Sequence, residues 1–139
     1  MTKYITNSDK ETKLLAKKMA RKIKYRVIAL FGELGAGKTT FVQGFAKGLN
    51  IKEKIISPTF VLIRQHPIPE TNKFFYHIDL YRLNSGDNLK TIGLSEVLSD
   101  PQNLVIIEWA EKAEDYLPKK TVKVTIEKKG GTRREITVL

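Results

Sequence analysis

Apolar residues follow two rhythms along this chain. Unbroken or nearly unbroken runs occur at Val27-Ile28-Ala29-Leu30-Phe31, Phe60-Val61-Leu62-Ile63, Phe74-Phe75-Tyr76-His77-Ile78 and Leu104-Val105-Ile106-Ile107. The first and last of these predict buried strands, Phe60–Ile63 is the apolar run that leads into a hairpin, and Phe74–Ile78 is its return strand. From Thr121 to Ile126 the pattern alternates, with Val122, Val124 and Ile126 on one face. Ile136 and Val138 repeat it after Gly130-Gly131, which predicts a terminal β-hairpin, half buried and basic outside. Helical spacing appears at Leu15, Met19 and Ile23, and again at Phe41, Phe45 and Leu49. Ser8-Asp9-Lys10-Glu11 precedes the first stripe as a capping box, with Ser8 the cap and Glu11 reaching back. That helix is expected to run to about Ile23 and to pack against the sheet. The second ends near Gly48-Leu49-Asn50, a C-cap signal.

The remaining elements are shorter. Tyr4-Ile5-Thr6 predicts a small edge strand. The turn-rich stretch His66–Lys73 joins two apolar runs and predicts a hairpin. Helical turns fit Asn88–Ile92 and Leu94–Leu98, split by Gly93, with Glu96 a solvated helix residue and Asp100–Asn103 ending the stretch. Glu111–Leu117 is a short polar segment stopped by Pro118.

Between the first buried run and the second helical stripe lies Gly32-Glu33-Leu34-Gly35-Ala36-Gly37-Lys38-Thr39-Thr40. It fits G-x-x-x-x-G-K-[ST], a phosphate-binding loop. The glycines permit the tight turn that aims successive backbone amides at one anion. Lys38 brings an ammonium group to β- and γ-phosphates, and the Thr39 hydroxyl suits Mg²⁺. Strand, loop and helix in that order supply the context the pattern requires, with the helix N-terminus facing the anion. Lys-Thr at that spacing has no use in a merely structural turn.

Carboxylates end two of the buried runs. Asp79 follows Phe74–Ile78 and Glu108 follows Leu104–Ile107, so the two compete for a Mg²⁺-directed role. Ser57-Pro58-Thr59 offers hydroxyls to a γ-phosphate as a switch, or is simply a turn into a strand. His66 and His77 lack a second histidine at ligand spacing and read as structural. Trp109 stacks on a base or covers the core edge, and residue type favours the core.

Length and charge narrow the partners. The 139 residues fit one domain, 1–139, with a sizeable core. The chain has no cysteine, hence neither disulfides nor a thiolate zinc site. With a polar stretch from Met1 to Lys13 in place of a signal peptide, it is expected in the cytoplasm. No run approaches the roughly 20 apolar residues of a membrane helix, so no membrane partner is expected. The formal charge of +10 attracts ATP, nucleic acid and acidic surfaces. It is spread over Lys17–Lys24, Lys52–Lys54, Lys119–Lys123 and Lys128–Arg134, which read first as solvated faces. No RNP-type aromatic motif or Gly-x-x-Gly clamp accompanies them.

The loop, Ser57-Pro58-Thr59, His77-Ile78-Asp79-Leu80-Tyr81-Arg82 and Ile107-Glu108-Trp109 occur in one order at compact spacing. Over nearly the whole chain this combination resembles the bacterial TsaE family, also called YjeE, the ATPase of tRNA threonylcarbamoyladenosine biosynthesis. The resemblance implies an α/β P-loop fold with a mixed, mostly parallel sheet flanked by helices, and ATP and Mg²⁺ as ligands. Gly35, Ala36, Gly37, Lys38, Thr39 and Thr40 would hold the phosphates. Thr39 and Glu108 would bind Mg²⁺, and Asp79 would be a carboxylate near the γ-phosphate. Ser57 and Thr59 fall on a switch-like loop. Trp109 and Glu111 would sit beside the nucleotide, and Asp9 in the Asp9–Thr12 segment would border the base. Glu33 stands where the family also has Asp.

Family members act with the TsaB and TsaD proteins, TsaD being the transferase, on tRNAs that read codons beginning with A. Hydrolysis is expected to reset the complex, with tRNA reached through the complex. Lys38, Asp79 and Glu108 are the expected catalytic residues; no arginine finger in cis is identifiable beyond Arg82 as a candidate, so the isolated protein is expected to be a slow ATPase. Two other classes share the loop. A small-molecule kinase needs an acceptor pocket and a lid, for which only Ser85–Ser99 is available. A nucleotide-dependent RNA-binding module would draw on the net charge. The absence of N-K-x-D, and of glycine after Asp79 at D-x-x-G spacing, argues against a GTPase.

Overall fold

The computed structural model describes residues 1–22, 26–56, 63–83 and 93–139. Their strands are β1 (Thr2–Thr6), β2 (Val27–Phe31), β3 (Ile63–Pro67), β4 (Phe74–Asp79), β5 (Asn103–Glu108), β6 (Val122–Lys128) and β7 (Arg134–Val138). All join one mixed sheet in the order β1-β7-β6-β2-β5-β4-β3. β6, β2, β5 and β4 are parallel neighbours, while β3 and β7 run antiparallel to theirs. The helices are α1 (Asp9–Lys22), α2 (Lys38–Gly48) and α3 (Leu94–Ser99), with a 3-10 segment at Ala110–Tyr116. This is the expected α/β architecture.

The unbroken runs explain the centre. A parallel strand covered on both faces favours apolar side chains throughout, and β2 and the Leu104–Ile107 stretch of β5 supply them. One face sends Ile28, Leu30, Phe75 and Ile106 against Phe41, Val42 and Phe45 of α2. The other sends Val27, Ala29, Ile78, Val105 and Ile107 against Leu94 and Leu98 of α3. The C-terminal hairpin forms as its alternation predicts, but inside the sheet: β6 lies beside β2, and β1 covers β7. β1 is thus the edge strand expected around Tyr4–Thr6.

Helix α1 departs from its predicted face. Leu15 is only half buried, Met19 is buried, and Ile23 lies outside the described residues. The inward face is Thr12, Ala16, Met19 and Ala20, and it packs along α2 rather than chiefly on the sheet. Small residues explain the shift. A Cβ on Gly44 would lie 2.3 Å from the Lys13 carbonyl oxygen, and one on Gly48 would lie 2.6 Å from Ala20 Cβ. The helices approach until backbone meets backbone, so alanines rather than leucines fill the seam.

The helix ends follow the sequence closely. Ser8 Oγ accepts the Glu11 amide at 3.1 Å, while Glu11 Oε1 accepts from Asn7, one residue before the cap, at 3.0 Å. At the end of α2, Asn50 adopts φ 64°, and the amides of Asn50 and Ile51 return to Lys47 and Ala46 as a Schellman motif. The Ser57-Pro58-Thr59 segment, the Phe60–Leu62 run and the helical turn at Asn88–Ile92 lie outside the described residues. No described helix is long and apolar enough to cross a membrane.

Candidate functional site

The phosphate-loop sequence occupies the turn from β2 into α2. Gly37 is the N-cap of α2 at φ 107°, a conformation in which any Cβ is strained. No side chain caps this helix start. The amides of Lys38, Thr39 and Thr40 precede the first return bond, from Phe41 to Gly37 at 2.9 Å. An α-helix leaves its leading amides without intrahelical acceptors, and its dipole favours an anion there.

Lys38 is buried and folds back over this turn. Its ammonium group donates to the carbonyls of Gly32 and of Glu33, the latter at 3.1 Å. It also lies 3.9 Å from the centroid of the Trp109 ring, a cation–π contact. Burial pushes the Lys38 pKa below the ordinary lysine value, against the opposing pull of Glu108, Glu111 and Asp79.

Sheet register brings the two competing carboxylates together. Asp79 and Glu108 are direct partners across β4 and β5, at the carboxyl ends of parallel strands. Both are buried. Asp79 Oδ1 accepts the Tyr81 amide at 2.9 Å. The Thr39 hydroxyl reaches Glu108 at 3.2 Å and 3.4 Å, one distance to each oxygen. Glu108 Oε2 also meets His77 Nε2 at 2.5 Å.

These groups converge on a cavity of about 420 Å³. Asp9, Gly35, Gly37, Lys38, Thr39, Thr40, Asp79, Glu108 and Trp109 all line it. Ala36 and Glu111, also expected at the nucleotide, do not. Ala36 is buried, with its carbonyl turned to Arg134, and Glu111 is exposed on the 3-10 segment and acts on Lys38 only through charge. Trp109 covers the core edge, packed against the second core cluster, and also borders the cavity, its ring 5.0 Å from that of Tyr81.

Sequence reasoning missed two residues. Arg134 looked like one of many hairpin cations, yet it lines the cavity and its Nε donates to the Ala36 carbonyl at 2.9 Å. His77 read as a structural strand residue, and only register reveals its partner. Its place two residues before Asp79 on a period-two strand was the available signal. Arg82, the candidate finger, also lines the cavity.

The donor set near Thr39 is a hydroxyl and a carboxylate, the hard oxygens Mg²⁺ prefers. Among the described residues no cluster of three His, Asp or Glu side chains forms a closed metal cage. A cation that keeps waters and phosphate oxygens in its shell fits such a site.

Comparison with known proteins places this geometry in context. Residues 6–136 match the family model described as threonylcarbamoyl adenosine biosynthesis protein TsaE. The tRNA threonylcarbamoyladenosine biosynthesis protein TsaE of Bacillus subtilis is 39% identical, covering 97% of this chain and 83% of its own. The protein of that name in Treponema pallidum is 41% identical, covering 81% and 80%. The crystal structure of Bacillus subtilis YdiB superposes with a TM-score of 0.80 at 35% identity, over 99% of this chain and 83% of that one.

Proposed function

The chain belongs to the TsaE family of tRNA threonylcarbamoyladenosine biosynthesis, and from that premise we propose that it is a Mg²⁺-dependent ATPase working with TsaB and TsaD in the cytoplasm. The observation that carries this reading is the meeting, in one cavity, of an uncapped helix start, the Lys38 ammonium group and the Asp79–Glu108 pair.

The triphosphate lies along the turn from Gly35 to Thr40, where backbone amides and the α2 dipole face its charge. Lys38 exchanges the Gly32 and Glu33 carbonyls for phosphate oxygens, a swing that keeps an acceptor for the ammonium group throughout. Thr39 and Glu108 would hold Mg²⁺, which when bound neutralises charge on the β- and γ-oxygens. Asp79, beside Glu108, orients the attacking water in line with the γ-phosphate. The loop amides and Lys38 stabilise the charge that grows on the phosphate oxygens. Asp9 and Trp109 border the nucleoside.

The chain is not the transferase, and hydrolysis resets the TsaB–TsaD complex between tRNA turnovers. Rate is limited by an incomplete charge clamp. Completion of such a clamp in trans is worth about 10³–10⁵ in rate, so turnover is expected to be slow alone and faster with partners. The test is phosphate release with and without TsaB–TsaD, with Lys38→Ala as the inactive reference. Fast turnover by the chain alone, or unchanged affinity and turnover in Lys38→Ala, would overturn the reading. Transfer of the γ-phosphate to a metabolite would favour a kinase.

A further inference from the structure

His77 sits one alternation below Asp79 on β4, on the same sheet face, and is fully buried. Register sets it opposite Ile106, so its ring reaches diagonally to Glu108, two residues further along β5. It does not line the cavity. Carboxylate oxygens accept only, so Nε2 carries the proton of this bond. Nδ1 has no hydrogen-bond partner among the described residues. A bare nitrogen there leaves no buried N–H unmet, which selects the Nε2–H tautomer.

We propose that His77 is a positioning residue that fixes the Glu108 carboxylate in its metal-binding orientation; this rests on the ATPase reading above. A glutamate at a strand end has three side-chain torsions to settle. The Thr39 hydroxyl approaches its two oxygens at 3.2 Å and 3.4 Å, nearly symmetrically, and so selects no orientation. The imidazole is rigid, has two torsions and is fully buried, opposite Ile106 in the sheet. It holds Oε2, while the Thr39 hydroxyl lies nearly equidistant from both oxygens. Thr39 is itself a proposed metal ligand, so the His77 bond is the one that stands whether or not the cation is present. Donors that orient metal ligands are typically worth about 10–100-fold in metal affinity.

The test reads binding as well as activity, because Trp109 is the only tryptophan and borders the cavity. Its emission follows ATP binding in EDTA and during Mg²⁺ titration. His77→Leu should raise the half-maximal Mg²⁺ concentration about 10–100-fold while leaving metal-free ATP affinity unchanged. His77→Gln, whose amide can replace the Nε2 donor, should restore most of the loss. An unchanged Mg²⁺ requirement in folded His77→Leu overturns the inference alone. ATP binding that ignores Mg²⁺ in the unaltered protein overturns the functional reading beneath it. If His77→Leu does not fold, imidazole nitrogen resonances of the unaltered protein decide. A protected Nε2–H supports the proposal, and an Nδ1–H tautomer refutes it.

Discussion

Replacing Gly44 with alanine sets two known effects against each other. In an open helix the change gains about 1 kcal/mol, because alanine loses less backbone entropy. Here the new Cβ would lie 2.3 Å from the Lys13 carbonyl oxygen, 2.5 Å from Lys13 Cα and 2.8 Å from its carbonyl carbon. These are backbone atoms of α1, which cannot rotate aside, so the helices must part by roughly 1 Å. Overpacking of this kind costs about 1–3 kcal/mol, and a backbone obstacle belongs at the upper end. The net expectation is a loss of about 1–2 kcal/mol. At roughly 3–4 °C per kcal/mol for a chain of this size, Tm should fall by about 3–8 °C. Thermal unfolding followed by circular dichroism measures this directly. ATP affinity should fall too, because α1 begins at Asp9 and α2 at Lys38, both bordering the cavity. Gly48→Ala meets Lys17 and Ala20 one turn further away, so it should destabilise with less effect on ATP. A rise in Tm for Gly44→Ala would mean that propensity rules and that the helices do not touch as described.

Three further outcomes bear on the site. Burial holds the Lys38 pKa below 10.5. The ammonium form needed for phosphate is complete below that lowered value and is lost as pH rises through it. ATP affinity should therefore decline before ordinary lysines titrate, and a pH series of Trp109 emission tests this. The same burial makes charged Lys38 a liability to the ATP-free fold at lower pH, relieved as pH climbs toward 10.5. Thr39→Ala and Glu108→Gln should each raise the Mg²⁺ requirement, and the double variant should lose less than the sum because the two groups share one contact. Arg134→Ala frees the Ala36 carbonyl and should raise KM for ATP, with little change in kcat if the arginine braces the loop; an equal fall in kcat would place it at the transition state instead.

Much of this was readable from residue patterns, for identifiable reasons. β2 begins and ends where its apolar run does, because a strand covered on both faces disfavours polar side chains that lack a partner. The capping box, the Asn50 terminator and the hairpin after His66 are local devices whose partners lie within a few positions. What escaped depends on distant pairing. Spacing in Leu15–Ile23 cannot show that glycines on another helix leave room only for alanine. Nor does anything near Asp79 reveal that it faces Glu108; the spacing of His77 and Asp79 puts both on one face but cannot name the carboxylate that His77 meets. Arg134 is separated from Ala36 by most of the chain, and only the insertion of β6 beside β2 brings them together.

That insertion bears on how the protein is made. β2 is made well before its two hydrogen-bonded neighbours, β5 and β6, from Asn103–Glu108 and Val122–Lys128. A nascent chain that has exposed the phosphate loop therefore carries it on an unpaired strand, with both flanks still to be translated. Sequence-distant pairing of this kind folds slowly and leaves strand edges bare in the interim. The grip on nucleotide thus becomes available only after Val122–Lys128 has been made, as a signature that both flanks of β2 have joined.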